Sequence, residues 1–301
     1  MPELILHHYD MSPYAEKVRL MMGLKSLSWR SVQIPIVMPK PDLTELTGGY
    51  RRTPTLQIGA DIYCDTKMCA LALERFQPEP SLFPGDPATV WGVSRWAETS
   101  FMMAVGVFLG SGGLFNDEFI EDRKLMAPDV DFSKAKLIVP AKLMQLRSNL
   151  DRLEQQLSDG RPYLLGETLS LADLSAYHAH RFLEVNKDTA LLVAPLENMK
   201  AWLDRVAAVG HGERSELDAK DAIAIARDAT PESARESAPL PDGLAIGDSV
   251  VVMPEEPGSG TVPGELVASE LHEFAIRRQS ERAGELVVHF PREDYMVLKT
   301  A

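Results

Sequence analysis

Cysteine is scarce: the chain has two in 301 residues, Cys64 and Cys69. Thiols so close together cannot staple a chain of this length. They also lack the C-x-x-C spacing of a redox pair, so they read as buried thiols of a reducing compartment. Positive charge is in deficit, with 31 Lys and Arg against 44 Asp and Glu and a formal net charge of −13. Such a surface repels a phosphate backbone, which argues against nucleic acid as a partner. An anionic small molecule stays open wherever a few arginines converge. There is no long hydrophobic run. The longest uncharged stretch, Phe101 to Phe115, falls short of the ~20 residues that span a bilayer and is broken at Gly110, Ser111, Gly112 and Gly113. It reads as a buried helix ending in a glycine-rich turn. The opening MPELILHHYD has no basic region followed by an apolar core, so it reads as a strand and not a signal peptide. No membrane partner is expected, and the cytoplasm is the expected location.

What is present is ordinary for a soluble globular chain: 45% hydrophobic and 25% charged residues, enough for a sizeable core. The length suggests roughly two domains with an appendage. Residues 4 to 9 form a strand-like run, and Ser12 with Pro13 then opens a helix, serine as N-cap and proline at the first helical position. Arg30 to Ile36 reads as a second strand, and Thr55 to Ile58 and Asp61 to Cys64 as a pair around Gly59-Ala60. A helix from Asp65 to about Phe76 closes a small α/β unit spanning residues 1–77. Pro78, Pro80, Pro84 and Pro87 mark a linker. Residues 88–228 then read as all-helical. The stripe Leu143, Leu146, Leu150, Leu153 and Leu157 is one apolar helix face. Ser170 with Asp173 forms a capping box, and Ser215 with Asp218 a second cap. A Pro/Ser/Glu-rich linker follows, and residues 244–301 hold five short strand-like runs. They are expected to form a small, barrel-like β module that is too small for a robust core and leans on the helical domain.

The run Tyr9-Asp10-Met11-Ser12-Pro13-Tyr14-Ala15-Glu16-Lys17-Val18-Arg19 is similar to the strand-to-helix turn of serine- and cysteine-dependent cytosolic glutathione transferases, whose tau- and omega-like classes carry S-P-F and C-P-F there. Thr53-Pro54, Asp65-Thr66 and Leu169 to Leu174 match three further motifs of that family in order, so the resemblance covers about residues 3 to 228. It implies a thioredoxin-like α/β domain that binds glutathione, followed by an all-α domain.

It further implies that Ser12 activates the thiol of glutathione, the co-substrate, for attack on a small electrophile, a role tied to detoxification. A free thiol titrates near ~8.5, and lowering that by ~2 units takes about 2.7 kcal/mol of preferential thiolate stabilisation. A hydroxyl donor at a helix N-terminus supplies interactions of that kind. Ser12 also reads as a plain N-cap, and the two roles are compatible because a cap uses only the oxygen as acceptor. Tyr9 is the second candidate for thiol activation. The resemblance assigns Arg52 to the glycyl carboxylate, the backbone of Thr53 before a cis-Pro54 to the cysteinyl part, and Asp65 and Thr66 to the γ-glutamyl end. Arg51 reads as solvated. No metal is expected: His7 and His8 are adjacent on a strand and point to opposite faces. The family arrangement implies a homodimer. Two alternatives stay open: a non-catalytic protein-interaction module of the same fold, and a glutathione-dependent isomerase or lyase.

Overall fold

The computed structural model describes the chain except residues 1, 113, 114, 233, 234, 257, 259 and 301 and the side chains at 235 and 236. Gly113 of the glycine-rich turn therefore lies outside the described residues. Strand β1 (Leu4–His8) runs into helix α1 (Pro13–Leu24), then β2 (Ser28–Gln33), α2 (Pro41–Thr47), β3 (Thr55–Ile58), β4 (Asp61–Cys64) and α3 (Thr66–Phe76). β2 lies parallel to β1, and β3 and β4 form an antiparallel hairpin on its other side. Ser12 caps α1, its Oγ accepting from Ala15 N–H at 3.2 Å, and Pro13 occupies the first turn.

Helices α4 (Pro87–Ser111), α5 (Asp117–Met126), α6 (Ala135–Leu157), α7 (Leu171–Arg181), α8 (Lys187–Val193) and α9 (Glu197–Ala207) make the second unit. Leu146, Leu150, Leu153 and Leu157 of α6 are buried against it, while Leu143 is only half-buried. α6 starts about two turns before the leucine stripe and carries Pro140 inside it. Asp173 closes the capping box by accepting from Ser170 N–H at 3.1 Å and also takes Leu164 N–H and Trp202 Nε1–H. No helix among the described residues is long and apolar enough to cross a membrane.

After α9 the chain returns to the α/β unit. β5 (Glu213–Glu216) adds to the free edge of β2 in parallel, and α10 (Ala219–Asp228) packs across α2 and β2. Gly23 permits this return, since a Cβ there would lie 2.0 Å from Gly210 O. The second N-cap differs from the expected one: Ser215 sits in β5, and Asp218 alone precedes α10.

The β module is present, in strands β6 (Arg235–Glu236), β7 (Ser249–Pro254), β8 (Val262–Ser269), β9 (Glu273–Ser280), β10 (Gly284–Pro291) and β11 (Tyr295–Lys299). Its placement corrects the expectation that it leans on the helical domain. β10 pairs parallel with β4, Val287 opposite Asp61 and His289 opposite Tyr63. The result is one open sheet in the order β11-β7-β8-β9-β10-β4-β3-β1-β2-β5, with β6 beside β8. The module shares a core with the α/β unit: Ile62, Cys64, Tyr50 and Leu46 pack with Val250, Val252, Phe274 and Phe290. The physical reason is the exposed edge of β4. Its unpaired backbone groups and apolar face are a better partner for a strand than any helix surface.

Candidate functional site

The turn between β1 and α1 places Ser12 at the positive end of α1, 2% exposed. Its oxygen accepts from Ala15 and its own proton is left to donate. Below it, Arg19 of α1 ties the turn down, donating to Asp10 O at 3.0 Å and to Glu16 at 2.6 Å and meeting His8 Nδ1 at 3.1 Å. His7 and His8 face apart, as strand alternation requires: His7 meets Gln57 at 2.7 Å and His8 meets Ser31 at 3.0 Å. Burial pushes both imidazoles down to about 4, so they are neutral near pH 7.

Thr53 and Pro54 stand between α2 and β3, joined by a cis peptide bond. Lys40, buried between Pro39 and Pro41, donates to Thr53 Oγ1 at 3.1 Å and to Arg51 O at 3.2 Å. Burial, with Arg123 and Arg51 nearby, lowers its ammonium to about 8. Arg51 is not solvated as expected. It pairs with the buried Asp122 of α5, which also accepts from Met38 N–H at 3.0 Å.

Asp65 caps α3 with a positive φ of 80°, a backbone region that non-glycine residues enter only when the surroundings fix it. One carboxylate oxygen accepts Lys67 N–H at 2.9 Å, and the other accepts the Tyr295 hydroxyl at 3.0 Å. Thr66, 7% exposed, begins α3. Tyr14, two residues after Ser12, lies edge-on to Phe101 and 5.0 Å from the His178 ring. Burial raises its phenol, and Glu98, Arg52, Asp65 and Glu256 all act on it electrostatically. Tyr14 thus stands among α1, the 50–54 segment, the start of α3 and α4, the candidate cleft. On the helical side Phe101 of α4 meets Tyr14, ring centres 5.1 Å apart, and Met103 packs against the core.

The residues that sequence reasoning missed come mostly from the module. Glu256 pairs with Arg52 at 2.7 Å. Asp294, itself at φ 69°, pairs with Lys67 and with Arg95, each at 2.5 Å. Tyr295 reaches Asp65 and touches the Tyr50 hydroxyl at 3.4 Å. No local pattern marks these side chains, which lie some 200 residues from their partners. Lys40 did carry a signal, a lone cation between two prolines. A separate polar cluster sits under the module seam, where His289 lies 3.0 Å from both Asp61 and Glu273. Asp61, Glu232 and His289 offer ligand atoms within 4.8 Å of one another. Both imidazole nitrogens already face carboxylates, an arrangement that a protonated ring satisfies by donating twice.

The groups gathered there are a guanidinium, which pairs well with a carboxylate, and a carboxylate and a hydroxyl at a helix N-terminus, which suit an amino-acid end. Arg52 demonstrates the first match by holding a carboxylate of its own chain.

Comparison with known proteins agrees with this layout. A glutathione S-transferase N-terminal domain family matches residues 6–81, and a glutathione S-transferase C-terminal domain family matches residues 138–205. A GST-like protein from Pseudomonas syringae, known from its crystal structure, is 42% identical, covers 100% of both chains and superposes with a TM-score of 0.81. A glutathione S-transferase from Methylobacillus flagellatus, solved with glutathione bound, is 18% identical over 69% of this chain and 99% of its own, at a TM-score of 0.52, which speaks for the fold alone. FtsZ-localized protein A of Caulobacter vibrioides is 28% identical over 180 residues, 58% of this chain and 74% of that one.

Proposed function

The chain belongs to the glutathione S-transferase family, and from that premise we propose that it binds glutathione and activates its thiol for attack on a small electrophile. The observation that carries the reading is Ser12: a buried hydroxyl at the N-terminus of α1, its oxygen satisfied and its proton available. Donated to a thiolate sulfur, that proton stabilises the charged form, and the dipole of α1 adds to it. Thr53 would present backbone groups to the cysteinyl residue, and Asp65 and Thr66 would take the γ-glutamyl end. Arg52 would take the glycyl carboxylate, with Pro54 setting the turn. The electrophile would enter beside Tyr14 and Phe101, between the two domains. The test is calorimetric titration with glutathione, expected to give a Kd in the high micromolar range or tighter, about −5 to −7 kcal/mol. Absence of heat at millimolar ligand would reject the reading.

The same reading makes the protein a cytoplasmic homodimer. β4 is already paired with β10, so a second copy would use the helical side, where Leu137 and Met144 of α6 and Met102 of α4 are exposed. A monomeric mass by light scattering at micromolar concentration would count against this. A second reading, a non-catalytic interaction protein, is favoured by two observations: the module's own groups engage Arg52 and Asp65, and one relative is named for localising with FtsZ. It predicts no turnover with any electrophile. A glutathione-dependent isomerase or lyase would use the same thiol site and differ only in the electrophile it accepts.

A further inference from the structure

The Arg52 end of the cleft is not built by the first two domains alone. Beyond β7 the chain folds back across it and delivers Glu256 to the guanidinium at 2.7 Å. Two backbone positions after Glu256, Gly258 and Gly260, are seated against other main chain. A Cβ on Gly260 would lie 2.3 Å from Gly49 O, and one on Gly49 would lie 2.9 Å from Thr261 O. A Cβ on Gly258 would lie 2.4 Å from Leu125 O near the end of α5. Main chain meets main chain at these points, and a side chain there would force the segment off its seat. Glu256 therefore meets Arg52 with two nearby chain positions, Gly258 and Gly260, held against main chain.

At the other end of the cleft the module acts differently. Tyr295 brings a hydroxyl and no cation to Asp65, so it supports an incoming ammonium and does not replace it. The module thus occupies one end of the cleft and supports the other.

We propose that Glu256 is a specificity-determining residue: a built-in carboxylate at Arg52 that turns the cleft toward thiol peptides with a γ-glutamyl end and no free carboxylate at the opposite end. This rests on the glutathione-binding reading above. Arg52 presents one fork, and a free glycyl carboxylate must first displace Glu256. Once bound, it lies beside the displaced carboxylate and is repelled by it. A peptide whose glycyl carboxylate is esterified or amidated meets neither obstacle and leaves the Arg52–Glu256 pair in place.

The experiment is calorimetric titration of the full chain and of Glu256→Gln with two probes, glutathione and its glycyl ethyl ester. Glutamine is isosteric, and the Glu256 side chain is 78% exposed, so the variant keeps its fold. The wild-type protein is expected to bind the ester at least as tightly as glutathione. Glu256→Gln is expected to tighten glutathione about 2- to 5-fold, the range open to a partly exposed ion pair, while leaving the ester unchanged. A second variant, Gly260→Val, unseats the segment without changing a charge and should move glutathione in the same direction. Unchanged or weaker glutathione binding by Glu256→Gln overturns the proposal. So does a wild-type protein that binds the ester about 10-fold more weakly than glutathione. If no variant binds either probe, the glutathione-binding reading itself falls and takes this one with it.

Discussion

The central sheet is finished in opposite ways at its two sides. Beyond β2 the chain adds one short strand, β5, whose four residues Glu213, Arg214, Ser215 and Glu216 are all exposed and mostly charged. Beyond β4 it adds a block of five paired strands that carries its own apolar face and continues the core of the α/β unit through Ile62 and Cys64. The first addition blocks an edge and buries little. The second makes the edge interior and brings Glu256, Asp294 and Tyr295 to the cleft. An edge strand needs only charge and a partner to be harmless. A wall for a binding site needs a fixed position, and that takes a shared core.

The largest effect expected from this asymmetry is that of deleting residues 240–301. The cut would uncover Ile62, Cys64, Tyr50 and Leu46, all 2% exposed or less. At about 1.5–3 kcal/mol for each large apolar side chain returned to water, the loss is comparable to the whole stability of a domain. The truncated protein should be insoluble or unfolded in chemical denaturation. A soluble, cooperatively unfolding truncation would mean that the module is tethered and not integral.

Next in size is the polar cluster that crosses the seam. Burial lowers the His289 imidazole, but hydrogen bonds and charge from Asp61 and Glu273 outweigh it and raise the group above its usual 6.5. Burial likewise raises Glu273, and His289 with Arg75 outweighs that and brings it down to about 2. The raised imidazole contributes stability that is fully present below pH 6.5 and lost as pH rises through its folded value. The depressed carboxylate contributes stability present above pH 4.5 and lost as pH falls toward about 2. Stability of the seam should therefore peak between those limits and decline on the alkaline side. Tyr63 stacks on the ring at 4.4 Å and adds no charge. His289→Ala leaves two carboxylates facing each other in the interior and should cost about 3–5 kcal/mol. It should also abolish the alkaline decline in denaturation midpoints measured from pH 5 to pH 9, and a variant that kept the decline would place its source elsewhere.

Ser12 lies between the two edges and belongs to neither addition. Ser12→Ala should cut turnover ~10- to 1000-fold and raise the thiol pKa of bound glutathione. Its effect on stability should stay near 1 kcal/mol, the cost of a lost N-cap. Unchanged turnover at neutral pH would move thiol activation to Tyr9 or to backbone amides.

The contrast also explains what was legible in the sequence. Elements whose signals are local were readable: β3 and β4 lie where alternation and the Gly59-Ala60 turn place them, and α1 begins at the Ser12-Pro13 cap. The strands of the module were readable one by one for the same reason. Their destination was not. Nothing in Leu286 to Phe290 says that β10 will lie beside Asp61 to Tyr63, because pairing partners are chosen by an exposed edge elsewhere in the chain. β5 was missed because a charged, exposed strand has no apolar period to detect. In the cleft, positions matched to the family motifs could be named in advance. Glu256, Asp294 and Tyr295 could not, since their roles exist only after the sheet is joined.

The smallest effect is expected at the opposite edge, where Arg214 gives the sharpest test of the contrast. Its guanidinium pairs with Asp10 and Glu216, each at 2.8 Å, and lies 5.8 Å from the centre of the Trp29 ring. Burial raises the Asp10 carboxyl, but the hydrogen bond and charge of Arg214, with His8 and Gln33, together outweigh it and hold the carboxyl below its usual range. The side chains are 31%, 61% and 65% exposed for Arg214, Asp10 and Glu216, so water screens both pairs. Exposed pairs of this kind contribute ~0–1 kcal/mol. Arg214→Ala should therefore lower stability by no more than about 1 kcal/mol at low salt, and by less at high salt, where screening has already weakened the wild-type pairs. The β5 register should survive, because it rests on backbone bonds such as Glu213 N–H to Leu27 O at 2.9 Å and Leu217 N–H to Ser31 O at 2.9 Å. A loss of several kcal/mol, or detachment of β5 seen by hydrogen exchange, would show that this edge is as integral as the other and would remove the contrast between them.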